Sequence, residues 1–405
     1  MPIMEHFKII QSLCRIGLGS QNPAFRHQVE RLREALLVSG EERSATTLDR
    51  LLKAEQQQQT LRPSRVVASA ARRSGEELSP RVQPPCDRET GAALAELQFP
   101  NLHDSSPPVL SPQLNKAVDT LLSEWSNAEK LAAMGVAPAT TCMLFGAPGT
   151  GKTRLAQYIS ASLNLPIVQA RLDGLISSFL GTTARNLGNL FEFANRYNCL
   201  LLLDEFDAIA KLRDDPQEVG EIKRVVNTLL QNIDSRTGKG LTVAITNHEF
   251  LLDKAVWRRF EIRIAIPVPS LEERQEIFAR YLPPLDIDES MLKFLGWLSN
   301  GMTGSEIETV TKGLKRLITM CSGDKSSALI EHLQGYALTH ANAHPNSRIS
   351  LLLGAPQHLV QTVMNDPEIQ ITQAAMAAVL GRDQTTIGRW IRSERSAENE
   401  VAANA

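Results

Sequence analysis

The chain has 405 residues, a formal net charge of −2, 42% hydrophobic and 22% charged residues. That length suits two or three domains with a large core, and the near-neutral balance offers no general surface for polyanions or membranes. No apolar run approaches the roughly 20 residues of a bilayer-spanning helix. Cys14, Cys86, Cys142, Cys199 and Cys321 lie far apart without a Cys-x-x-Cys pair, which excludes a disulfide framework and a cysteine-built zinc site and fits reduced thiols in the cytoplasm.

Residues 1–60 read as an N-terminal helical bundle for substrate or partner binding. The opening MPIMEHFKIIQSLCRIGLGS has an acidic residue and a His before its short apolar stretch, unlike a secretory signal. Asn22-Pro23 starts the helix AFRHQVERLREALLVSG, which Gly40 stops, and ATTLDRLLKAEQQQQ forms another. Residues 61–108 are rich in Pro, Ser, Arg and Gly and read as a linker. From 109 to 345, apolar strand-like runs alternate with amphipathic helices, the α/β pattern. Within it, Phe179-Leu180-Gly181 is flanked by Ser177, Ser178, Thr182 and Thr183 and reads as an exposed turn carrying an aromatic. His340 and His344 share i,i+4 spacing but lack an acidic neighbour and precede Pro345, so they read as a surface pair.

The chemistry concentrates at the ends of three apolar runs. Cys142 to Phe145 leads into Gly146-Ala147-Pro148-Gly149-Thr150-Gly151-Lys152-Thr153, a complete GxxxxGK[ST] loop followed by the helical RLAQYISASL. Its glycines let backbone N–H groups curl around phosphate oxygens, Lys152 adds a point charge, and Thr153 offers a hydroxyl to Mg²⁺. The run CLLLL is suited to a strand buried on both faces of a parallel sheet, and it ends in Asp204-Glu205. There Asp204 would hold Mg²⁺ and Glu205 would act as general base on the attacking water. Asp207 reads as an N-cap or a surface acid. A third run, LTVAITN, ends in Asn247, whose amide would position that water or touch the γ-phosphate.

The order and content of these motifs resemble the AAA+ ATPases, within them the AAA clade, over residues 109–320. The resemblance implies a P-loop AAA+ parallel-sheet core over 109–270 and a small helical lid over 271–345, between an N-terminal helical domain and a C-terminal helical tail over 346–405. It implies ATP and Mg²⁺ as cofactors. In FLLDKAVWRRFEIRIAIPVPSLEERQEIF, Arg258 and Arg259 fall where that family places arginine fingers reaching a neighbouring subunit's nucleotide. Many relatives have Arg-Pro-Gly-Arg-Phe there, so either of the adjacent arginines fits the role. Gly304 and Ser305 match the lid position beside the nucleotide. Phe179 and Leu180 match an aromatic-apolar-Gly pore loop, by which a ring, a hexamer in this family, grips a threaded chain through apolar contact. Packing of Phe179 on its neighbouring helix is the alternative. Some membrane-bound relatives carry an HExxH zinc protease. Here HEFLL at 248 has Leu252 in place of the second His.

The tail ITQAAMAAVLGRDQTTIGRWIRSER, 371–395, resembles a helix-turn-helix. Thr372 would cap the first helix and Gly381 would make the turn. Ala374, Met376, Val379, Leu380, Ile387 and Trp390 would pack, and Gln384, Thr385 and Arg389 would face a groove. Arg382, Arg392 and Arg395 would meet phosphates. A hairpin for protein contact fits the same residues. Two functions follow: a homo-oligomeric ATP-driven motor remodelling protein substrates, alone or for a separate protease, or a DNA-associated regulatory ATPase using the tail. Neither calls for a membrane.

Overall fold

The computed structural model describes residues 23–38, 41, 44–49, 75–100, 106–171, 180–207, 219–236, 240–285, 287–320, 328–340 and 347–392. The chain divides into two units, Met1–Ala71 and Arg72–Ala405. In the first, the helix Pro23–Val38 buries Val29 and Leu36, seven residues apart on one face. A second helix, 44–49, buries Ala45 and Leu48. Arg33 Nη1 donates to Asp49 Oδ1 at 3.1 Å, joining the two.

The second unit is built on a six-stranded sheet in the order β1-β3-β4-β5-β2-β6. Its strands are β1 (Ala95–Gln98), β2 (Thr141–Phe145), β3 (Ile167–Ala170), β4 (Cys199–Leu203), β5 (Gly240–Thr246) and β6 (Ile262–Ala265). β1 runs antiparallel to β3, and every other pairing is parallel. All residues of β4 and β5 are buried. The strand alternation explains why: Leu201 and Leu203 enter one apolar layer with Phe191, Leu229 and Ile233, while Leu200 and Leu202 enter the opposite layer with Leu155, Ile159 and Leu121. Continuous apolar runs are therefore the required pattern, since helices cover both faces.

Three expectations change here. Residues 75–100, expected within a linker, belong to the sheet unit. β1 pairs along β3, Glu76 bridges Tyr197, Cys86 bridges Ala93, and Leu78 and Leu94 are buried. A four-residue edge strand among prolines carries too little apolar periodicity to stand out. The turn expected through Leu180 to Thr183 is instead the start of the helix Leu180–Arg196. It is anchored by a buried stripe of Thr183, Asn186, Leu187, Leu190, Phe191 and Ala194, a 3.6-residue repeat that outweighs the Gly and Thr at its start. Phe179 lies outside the described residues.

The third concerns the boundary at 345/346. The helices Leu271–Tyr281, Glu289–Leu298, Gly304–Met320 and Ala328–His340 share one core with Pro356–Asn365, Gln373–Leu380 and 384–392, rather than leaving the tail as a separate unit. Phe278, Phe294, Trp297, Leu314, Leu333, Val360 and Ile387 meet in it. A charged network seals the join. Arg274, nearly fully buried, donates to Gly296 O at 2.8 Å, Pro269 O at 2.9 Å and Glu368 Oε1 at 3.1 Å. Arg348 meets Glu368 Oε2 and Asp366 Oδ2, both at 2.9 Å, and Trp297 Nε1 donates to the same Asp366 oxygen at 2.9 Å. Burial lowers the pKa of Arg274 against the pull of Glu368. Ala374, expected to pack, is exposed, whereas Met376, Val379 and Ile387 are buried. His340 is exposed and stacks on Tyr336 at 4.2 Å. His344 and Arg395 lie outside the described residues.

Candidate nucleotide site

β2 ends at Phe145 and the loop begins at Gly146, so the phosphate loop springs from an interior strand, between β5 and the edge strand β6. Gly146, Gly149 and Gly151 take positive φ values of 139°, 78° and 96°. These conformations turn the backbone back on itself before the helix Lys152–Leu163. Gly146 also lies so close to Ile266 that a Cβ would sit 2.2 Å from its carbonyl oxygen. Lys152 is buried, and its Nζ donates to Gly146 O at 2.8 Å and Ala147 O at 2.7 Å. Burial lowers its pKa, with Asp204 and Asp207 opposing the shift. Thr150 Oγ1 closes the loop by donating to Ala147 O at 2.9 Å.

The acids stand at the C-terminal end of β4, next to the loop. Thr153 Oγ1 donates to Asp204 Oδ2 at 3.3 Å, and Asp204 Oδ1 accepts from Glu205 N at 2.9 Å. Glu205 is exposed and holds a φ of 52°, in the left-handed region that non-glycine residues seldom adopt. Asp207 is not a surface acid. It is buried, and its Oδ1 accepts from Thr246 Oγ1 at 3.1 Å and Asn247 N at 3.5 Å. It thereby fixes the end of β5 against the end of β4, a role invisible without knowing that those strands are neighbours.

A cavity of about 400 Å³ covers these groups. Pro148, Gly149, Thr150, Gly151, Lys152 and Thr153 line it, with Asp204, Glu205 and Asn247 from the strand ends and Gly304 and Ser305 from the helical layer. Ser305 N donates to Gly149 O at 3.1 Å, so the helical layer closes directly on the loop. Gly146 and Ala147 stand behind, as the carbonyl partners of Lys152. Neither Arg258 nor Arg259 lines the cavity. Arg259 is held on its own chain, donating to Ala255 O at 2.7 Å with its Nε 3.4 Å from Asp234, while Arg258 is exposed.

Sequence reasoning missed part of the wall. Arg154, one residue past the motif, donates through Nη1 to the Tyr281 hydroxyl and through Nη2 to Ser106 Oγ at 3.0 Å. Arg154, Tyr281, Arg280, Val109 and Ile277 all line the cavity. The local signal was the position of Arg154 in the first turn of the phosphate-loop helix. Its partner from the helical layer had none.

A Gly-rich loop between an interior parallel strand and a helix, with an acidic strand end close by, defines a P-loop nucleotide-binding α/β domain. Residues 142–268 match the family model "ATPase family associated with various cellular activities (AAA)". The chain thus carries an AAA+ ATPase domain of the AAA clade. It is similar to the uncharacterized AAA family ATPase y4kL of Sinorhizobium fredii, 42% identical over 159 residues, 39% of this chain and 48% of that protein. It is 32% identical to an ATP-dependent zinc metalloprotease FtsH of Parabacteroides distasonis, over 49% of this chain and 30% of that one. A proteasome-activating nucleotidase of Sulfurisphaera tokodaii is 32% identical over 53% of this chain and 57% of its own length. The chain therefore spans 30% to 57% of the length of these three relatives. Among the described residues, no helix is long and apolar enough to cross a membrane.

Proposed function

We propose that the chain is a cytoplasmic ATP-driven ring motor, a homohexamer that remodels or unfolds protein substrates, alone or for a separate protease. The observation that carries the ATP half is the Thr153–Asp204 bond with Glu205 exposed beside it, all in one cavity with the phosphate loop. Thr153 and Asp204 supply the hard oxygen donors that fit Mg²⁺, which when bound neutralises charge on the phosphate chain. Lys152 would exchange its two carbonyl partners for phosphate oxygens, and the loop N–H groups would hold the rest. Glu205 would take the proton of the attacking water, and Asn247 would orient that water. Ser305, bonded to Gly149 O, would pass loop movements to the helical layer.

The cavity contains no residue of the Arg258-Arg259 pair, which supports completion of each site by a neighbouring copy. Arg258, exposed and without the tethers of Arg259, is the better finger. The mechanical half rests on Phe179 and Leu180 as the gripping residues, with Leu180 at the start of the helix Leu180–Arg196, and on relatives named as an ATP-dependent protease and a proteasome-activating nucleotidase. The chain's HEFLL lacks the second His of a zinc protease, so a protease would be a separate partner. Glu205→Gln tests the reading: ATP should still bind while turnover falls by about 10² or more. Phe179→Ala should keep basal turnover and lose remodelling of an unfolded model protein. Wild-type turnover in Glu205→Gln would refute the assigned base, and full remodelling by Phe179→Ala would refute the grip.

A further inference from the structure

The last described elements form a surface that ATP chemistry does not use. Thr372 Oγ1 accepts from Ala375 N at 3.2 Å and starts the helix Gln373–Leu380. Gly381, at a φ of 59°, ends that helix in the left-handed conformation, and the chain resumes as helix at 384–392. Met376 and Val379 of the first helix and Ile387 of the second are buried in the shared core, with Trp390 packed against it. That packing turns Arg382, Gln384, Thr385, Arg389 and Arg392 outward. Thr385, Arg389 and Arg392 are spaced by four and three residues, and so share one helix face.

Among the described residues, the charge on this face is basic. Three guanidinium groups stand against Asp383 among the exposed residues of 381–392. Among the described residues, Arg382 and Arg389 have no acidic partner within 4.0 Å. The upstream acids Asp366 and Glu368 are turned inward onto Arg274 and Arg348. The core of a protein-docking face is enriched in apolar and aromatic side chains. The large apolar side chains that the described residues expose, among them Phe250, Met320 and Leu338, all lie outside 371–392.

We infer that this face binds duplex DNA, with helix 384–392 in the major groove. Two helices joined by a three-residue turn, the second with its polar face exposed, have the shape that enters that groove. Gln384 and Arg389 carry the amide and the forked guanidinium that pair with adenine and guanine edges. Arg382 and Arg392 flank them as phosphate contacts. The helix pair shares its core with helices 271–365, and the Arg274–Arg348 network fastens the segment between them. The DNA contact is thus rigidly joined to the layer whose Ser305 meets the phosphate loop.

The test uses the full chain and a fluorescent mixed-sequence duplex, followed by anisotropy. For the two phosphate contacts of Arg382 and Arg392, affinity should fall about 12-fold as salt rises from about 50 to about 200 mM. Arg382→Ala and Arg392→Ala should each reduce the slope of log affinity against log salt by about 1. Arg389→Ala should abolish enrichment of any preferred site from a random duplex pool. Arg382→Glu, at an exposed turn position, should leave the melting temperature and basal ATP turnover unchanged while weakening binding further. Undetectable binding at the lower salt, or a slope untouched by Arg382→Ala and Arg382→Glu, overturns the inference. Loss of oligomer or of protein-stimulated turnover in these variants, without any duplex binding, would assign the face to a protein partner and overturn it equally.

Discussion

Gly149→Ala probes how the loop and the helical layer hold each other. Gly149 has a φ of 78°, and a Cβ there would lie 2.5 Å from Ser305 Oγ and 2.8 Å from Thr303 Oγ1. The left-handed conformation costs an alanine about 1–2 kcal/mol. The Ser305 hydroxyl can rotate away, but Thr303 Oγ1 is committed to Glu306 Oε2 at 2.8 Å, and displacing it forfeits about 1 kcal/mol more. An empty loop can relax, so the cost falls on nucleotide binding: a total of about 2–3 kcal/mol weakens ATP about 30- to 150-fold. Titration of the full chain with a fluorescent ATP analogue measures this. Adding Ser305→Ala should recover little, because that hydroxyl can already rotate away while strain and Thr303 remain. An affinity for Gly149→Ala within about threefold of wild type would refute the claim that this layer pins the loop.

Other expectations follow from particular contacts. Arg236, 1% exposed, donates to Thr242 Oγ1 at 3.1 Å, to Cys199 O at 2.9 Å and to Ala194 O. Arg236→Ala should cost about 3–5 kcal/mol of stability by leaving those acceptors buried without donors, read as a lower urea midpoint. An unchanged midpoint would contradict this. Arg258→Ala should reduce turnover by about 10³ with ATP binding to the isolated subunit intact, and Arg259→Ala by less, in steady-state assays of both variants. Mixing Arg258→Ala with Glu205→Gln subunits should restore some turnover, provided the mixed ring assembles. Because burial lowers the pKa of Lys152, its charge is lost at lower pH than that of an ordinary lysine. ATP affinity should therefore decline as pH rises toward the ordinary lysine range, and calorimetry should detect proton uptake on binding there. A flat profile would show that the ammonium stays charged throughout.

The phosphate loop was legible from its letters because its conformation is local. Glycines permit the positive φ values, and the lysine and threonine follow at fixed distances along the first helical turn. The five apolar residues of β4 likewise announced burial on both faces, since no other environment tolerates Leu200–Leu203 without a polar side. The short β1 could not be read this way, because its stability comes from pairing with β3 some seventy residues on, and only that pairing makes Leu94 and Ala95 core. Asp207 looked like a surface acid until the neighbouring ends of β4 and β5 brought Thr246 to it. The wall built by Arg154 and Tyr281, and the placing of Arg258 outside the cavity, belong equally to the tertiary structure. The tail's caps and turn were written locally in Thr372 and Gly381. Its union with the helical layer was not, because the Arg274–Glu368–Arg348 network and the burial of Ile387 join residues that only the folded chain brings together. Short-range backbone preferences persist in any context, whereas a buried charge or an edge strand takes its meaning from partners that sequence distance conceals.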